Sequence, residues 1–207
     1  MNLLRRLLSG IVVLALATAA SADLSGPYEP QNWSDSGISE GTTTVTPASG
    51  VSDRIEFGYE VDRGFFNGGV EFRTATLSIQ ADRSGILNFD YQFTGDHHLM
   101  AAEVYLEVFA ETSAGTTRVE LVNELHSGAF NYTGTVKIEV EAGMTFGVIV
   151  GGGNEDIYSH IAGAVTLTSF SRPLALDGIY AMEHWSSDGI LEGTTSITPD
   201  SGDAVVG

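Results

Sequence analysis

Residues 28–50, YEPQNWSDSGISEGTTTVTPASG, return at 180–202 as YAMEHWSSDGILEGTTSITPDSG, ungapped, 152 positions later and with 13 of 23 positions identical. A segment that recurs at domain spacing marks the same point in two successive units, so one unit occupies about 150 residues. The chain reads as one complete unit followed by the opening of a second. Shared between the copies are Trp33 and Trp185, Gly37 and Gly189, Gly41 and Gly193, and Pro47 and Pro199. An aromatic anchor, two glycines and a closing proline are what a domain-opening strand and its turns require. Trp33 is therefore expected in the core or between sheets. Trp185, with no second set of sheets behind it, is expected to be poorly packed.

Inside the unit the pattern has a period of two. Leu87, Phe89, Tyr91 and Phe93 alternate with Asn88, Asp90 and Gln92, Val104, Leu106 and Val108 with Glu103, Tyr105 and Glu107, and Val136, Ile138 and Val140 with Thr135, Lys137 and Glu139. Alternation of this kind predicts antiparallel strands with one wet face. Glu141-Ala142-Gly143-Met144 predicts a tight hairpin to a strand at 146–150, with Gly143 at positive φ. Further strands are expected at 54–61, 72–80, 117–125 and 163–170. No window beyond the N-terminus sustains helical periodicity. Short strands among 25 glycines point to an all-β fold, an antiparallel β-sandwich of jelly-roll type, with the start of a second tandem repeat.

At the N-terminus, Arg5 and Arg6 precede an apolar run over 7–19 and the small-residue site Ala20-Ser21-Ala22. This is the form of a cleaved signal peptide, too short for a membrane span. The expected organisation is a signal peptide at 1–22, a β-sandwich unit at 23–172, a linker at 173–179 and a truncated second repeat at 180–207. Past residue 22 the chain has 7 basic against 27 acidic residues, a net charge near −20. Such a field repels phosphate backbones and anionic lipid, so nucleic acid and an anionic membrane surface are poor partners and cations are attracted. No second apolar stretch of spanning length follows residue 22, so no membrane insertion is expected. The absence of cysteine rules out a disulfide framework.

Several residues invite chemistry. Gly37-Ile38-Ser39-Glu40-Gly41 has the G-x-S-x-G spacing of a nucleophile elbow, but no helix pattern follows and the second copy carries Leu191 in place of Ser39. Gly151-Gly152-Gly153-Asn154-Glu155-Asp156 reads as a glycine-rich turn whose Asn154, Glu155 and Asp156 offer oxygen ligands to calcium. Asp96-His97-His98 reads as a loop that a transition metal would share with His160. Phe65, Phe66, Tyr91, Tyr105, Phe109, Tyr132 and Tyr158 are candidates for stacking on sugar rings. Tyr105 and Phe109, opposite Val104, Leu106 and Val108, are the better exposed of these and form the candidate ligand site.

PYEPQNW, GILNFDYQF, IEVEAGMTFGVIV and GAVTLTSF together resemble a tandem β-sandwich repeat of bacterial secreted and surface proteins, adhesin-like and sorting-signal-bearing, over most of 27–170. Met144 stands where that pattern often has Asp. The resemblance implies an extracellular structural or binding role and supplies no catalytic residues. The leading expectation is an exported, non-enzymatic binding or structural module of a tandem-repeat surface protein, its partner an extracellular glycan or cell-surface component and its candidate cofactor calcium. The alternative is a carbohydrate-binding accessory module of a secreted hydrolase.

Overall fold

The computed structural model describes residues 24–65, 69–154 and 158–171. The expected signal peptide, the linker at 173–179 and the second copy with Trp185 lie outside the described residues. Two short 3-10 turns, Gly26–Tyr28 and Pro30–Asn32, lead into eight strands. These are β1 (Ser34–Asp35), β2 (Thr42–Thr46), β3 (Arg54–Phe65), β4 (Val70–Gln80), β5 (Gly85–Thr112), β6 (Gly115–Val140), β7 (Thr145–Asn154) and β8 (Tyr158–Ser171).

All pairings are antiparallel and join the strands into one hydrogen-bonded network. It folds into two layers because β5 changes partner along its length: 88–97 pair with β8, whereas 103–110 pair with β7. β6 follows β5 through the change, the two forming one long ribbon closed by the two-residue turn Ser113-Ala114. Counting the halves separately, one sheet runs β2, β3, β8, first half of β5, second half of β6. The other runs β1, β4, β7, second half of β5, first half of β6. Setting aside β1 and β2, the four remaining strands of each sheet follow the order of a jelly roll, so the fold is an antiparallel β-sandwich of that type.

Alternation explains which residues meet between the layers. Ile55, Phe57, Tyr59 and Val61 of β3 are buried, as are Ala75, Leu77 and Ile79 of β4, Val104, Leu106, Val108 and Ala110 of β5, and Phe146, Val148 and Val150 of β7. One end of the interior is aromatic. Phe146 of β7 and Phe170 of β8 lie 6.3 Å apart, and Trp33 meets both edge-on, at 5.7 and 6.1 Å. Trp33 is 8% exposed and its Nε1 donates to the Tyr28 carbonyl at 3.0 Å. Tyr28 donates to Asp82 Oδ1 at 2.6 Å and accepts from the Asp82 amide at 3.0 Å. The 28–50 segment thus straps the sandwich, pairing with one sheet through β1 and the other through β2.

Three local expectations are corrected. The 141–144 turn has Gly143 at φ 77°, but β6 and β7 do not pair; the turn carries the chain from one sheet to the other and is tied to Ala81. Asp96 and His97 lie in β5 rather than in a loop, beside a register shift in which 98–101 bulge opposite Ser127. Gly151 to Asn154 belong to β7 rather than to a turn. A β-carbon on Gly152 would stand 1.9 Å from the Glu103 carbonyl oxygen and 2.7 Å from His97 Cε1. These glycines mark close approach between strands.

Candidate ligand-binding face

Along the second half of β5, Glu103, Tyr105, Glu107 and Phe109 alternate with the buried Val104, Leu106 and Val108 and so point to the outer face. On the neighbouring β7 that face carries Gly153, Gly151, Ile149 and Gly147, with Phe72, Thr74, Thr76 and Ser78 of β4 beyond. Two strand spacings separate β4 from β5, about 10 Å. Glycine leaves the gap open, and the Phe72 and Tyr105 rings meet across it edge-to-face with centroids 5.5 Å apart. A β-carbon on Gly153 would come within 3.1 Å of both Phe72 Cα and Glu103 Oε2. Phe72 is 49% exposed and Tyr105 half-buried.

The polar partners of this pair are fixed. Tyr105 donates its hydroxyl proton to Glu107 Oε2 at 2.7 Å, and Arg118 pairs with the other carboxylate oxygen. Glu107 is 6% exposed, whereas the Arg118 side chain is largely in solvent. Burial, and then the hydrogen bond to the Glu107 carboxylate, push the Tyr105 hydroxyl up to about 12, so it remains a donor at physiological pH. Exposed Glu103, Glu120 and Asn123 complete the rim, with Asn123 Nδ2 donating to Glu120 Oε2 at 2.9 Å. The arrangement pairs a ring edge and face with charged donors and acceptors, which suits a ligand having both apolar faces and hydroxyls.

The expected site residues fare differently. Tyr105 belongs to this face. Phe109, expected to be exposed, is 7% exposed, opposite Gly147 and Arg118, and its ring is not free for stacking. Phe72 was not singled out by the sequence, although it shares the phase of Thr74, Thr76 and Ser78, opposite Ala75, Leu77 and Ile79, and is therefore an aromatic residue on the polar side of β4. Asn154 ends β7, 2% exposed and paired with Val70; Glu155 and Asp156 lie outside the described residues.

The histidines do not converge. His97 is fully buried, with Nδ1 2.8 Å from the Glu103 carbonyl and Nε2 2.9 Å from the Tyr59 hydroxyl. His97 pairs with Ile161, so His160, one residue along, faces outward, 3.3 Å from Glu60. Among the described residues no group of three or more His, Cys, Asp or Glu could hold a metal ion. Ser39 sits exposed in a turn leading into strand β2, without the helix a nucleophile elbow needs. Phe66 and the side chains of Phe65, His98 and Tyr158 lie outside what is described.

The outer face of the other sheet carries a groove of about 480 Å³. Its floor is Gly58, Ala162 and Ala164, and its sides are Thr42, Thr44 and Thr94 with Glu56, Glu60 and Asp96. No exposed aromatic ring lines it.

No family model matches this chain, and no curated protein matches it. Among solved structures, it is similar to TmCBM61 in complex with β-1,4-galactotriose, with 13% identity over 69% of this chain and 88% of that one and a TM-score of 0.37. It is also similar to the K1 cleaved adhesin domain of Lys-gingipain from Porphyromonas gingivalis W83, with 14% identity, 72% and 96% coverage and a TM-score of 0.39. The mannan-recognising carbohydrate-binding module TmCBM27 gives 13% identity, 73% and 95% coverage and a TM-score of 0.33. The jelly-roll assignment rests on strand order and does not depend on these likenesses. Among the described residues no helix is long and apolar enough to cross a membrane.

Proposed function

We propose that the chain is an exported, non-enzymatic binding module that takes a carbohydrate on the outer face of β4, β7 and the second half of β5. The observation that carries this reading is the Phe72–Tyr105 pair, half in solvent over a glycine floor and bordered by Glu107 and Arg118. A sugar ring stacks its C–H face on Phe72, while its hydroxyls exchange hydrogen bonds with Glu103, Arg118 and Asn123. Recurrence of the opening segment fits a tandem array in which weak single contacts add by avidity. A calcium ion, if this module holds one, belongs where Asn154, Glu155 and Asp156 follow one another. A melting temperature unmoved by millimolar calcium removes it from the reading.

The test is a glycan array probed with the full chain, followed by titration of any hit. Phe72→Ala is expected to weaken binding at least tenfold, the loss of about 1.4 kcal/mol or more of stacking, with the melting temperature nearly unchanged because the ring is half in solvent. Glu60→Gln, on the opposite sheet, is expected to leave binding unchanged. No bound glycan, or a Phe72→Ala chain that binds as well as the parent, sinks the proposal.

A further inference from the structure

The contacts of the 28–50 strap show what its second copy has kept. Four strap positions are buried: Tyr28, Pro30, Trp33 and Ile38. Three of these are identical in the second copy, as Tyr180, Trp185 and Ile190, and the fourth is the apolar Met182. Of the ten positions that differ between the copies, seven are exposed in the first: Gln31, Asn32, Asp35, Ser36, Ser39, Thr44 and Ala48. The charged anchor persists as well. Glu40, at φ 61°, accepts from Arg73 at 3.0 Å and Arg63 at 3.2 Å, joining β4 of one sheet to β3 of the other, and its counterpart is Glu192. Gly41, where a β-carbon would stand 2.3 Å from the Glu60 carbonyl, returns as Gly193.

Half of the exposed positions have changed, whereas of the four buried ones only Pro30 has, and its replacement is apolar. The 180–202 segment thus has the side chains to sit on a surface like the one formed by Phe146, Phe170, Asp82, Arg63 and Arg73. The chain is long enough for it to reach that surface. Ser171 closes β8 beside Phe170, whose ring is 5.2 Å from Tyr28, and eight residues separate it from Tyr180, a reach of about 30 Å.

We propose that the strap site is exchangeable: residues 180–202 of the same chain dock on the sandwich in place of 28–50. Both copies need the same edges of β3 and β4, so occupancy is exclusive. The first copy holds the site because it has contacts the second has lost, among them the Asp35 carboxylate that accepts from the Thr43 hydroxyl and, at 2.7 Å, from the Gly37 amide; Ser187 replaces it. Weakening the first strap hands the site to the second and frees the N-terminal segment.

The two tryptophans are Trp33 and Trp185, which gives the exchange an optical readout. In the full chain with Trp33→Phe, the first strap stays docked and acrylamide is expected to quench Trp185 freely. With Trp33→Ala the first strap is weakened, and the quenching constant of Trp185 is expected to fall several-fold, by the same factor at every protein concentration. Equal quenching of Trp185 in the two variants overturns the proposal. Shielding that appears only on raising the concentration overturns the same-chain assignment. A second variant covers failure of Trp33→Ala to fold: a chain given the ten substitutions that convert 28–50 into the sequence of 180–202. It is expected to melt in one cooperative transition, and loss of that transition overturns the proposal.

Discussion

The two ends of the sandwich interior are built from different materials. Under the strap, Tyr28, Trp33, Phe89, Phe146 and Phe170 form an aromatic cluster whose polar atoms are turned toward Asp82 and the Tyr28 carbonyl. Where β5 and β6 pass from one sheet to the other, Tyr59, Phe93 and Phe130 pack with a buried histidine instead. The first end is held chiefly by apolar area. The second depends on hydrogen bonds that cross the bend: His97 spans from Tyr59 to Glu103, and Tyr59 reaches the Gly151 carbonyl of the facing sheet at 3.3 Å. An interior of one fold can therefore fail in two ways.

The largest separation between the ends comes from deleting Trp33. Trp33→Ala, made together with Trp185→Ala so that no second strap compensates, is expected to cost about 3–5 kcal/mol in chemical denaturation at any pH from 5 to 8. A cost that changed with pH would break the contrast. Next is acid. Burial holds His97 down to about 4, against an ordinary value near 6.5, with the neighbouring His160 and His126 lowering it further and the Glu103 carbonyl and Asp96 opposing. The unfolded chain then binds more protons than the folded one between those values. The His97 contribution to stability is expected to be fully present well above pH 6.5 and to fall by about 3 kcal/mol as the pH drops toward 4. His97→Gln should flatten that part of the profile, and an unchanged slope would remove His97 as its source. Smallest is Tyr59→Phe, which leaves His97 Nε2 buried without its partner and is expected to cost about 1–3 kcal/mol at pH 7. Protonation turns Nε2 into a donor that needs the Tyr59 oxygen as its acceptor, so the cost should persist or grow in acid.

Strands with clean alternation, such as 87–93 and 135–140, were readable because a period of two is a local property of the chain. What joined them was not. Gly95, Asp96 and His97 carry the composition of a loop, yet Gly95 has Phe130 packed over it and a β-carbon there would stand 2.5 Å from that ring. His97 is compatible with a core only because Tyr59, 38 residues away in sequence, supplies a partner. Glycines 151–153 carry no side-chain pattern at all, so strand and turn are indistinguishable there without the strands on either side. Phe109 shares the phase of Tyr105, and phase assigns a face without saying what covers it. Phe72 was within reach of the same reasoning, as the aromatic residue out of step with its neighbours on β4.

The β5–β6 ribbon has a consequence for how the chain folds. Its two strands are neighbours in sequence, closed by a two-residue turn, and each already contains its share of both sheets. Other central pairings join segments far apart: Arg54 lies opposite Thr168 and Gln80 opposite Thr145. Closing such long loops before any contact rewards them makes for slow folding, on the order of milliseconds to seconds. The ribbon can form early as a local template, and β3, β4, β7 and β8 then add to its edges.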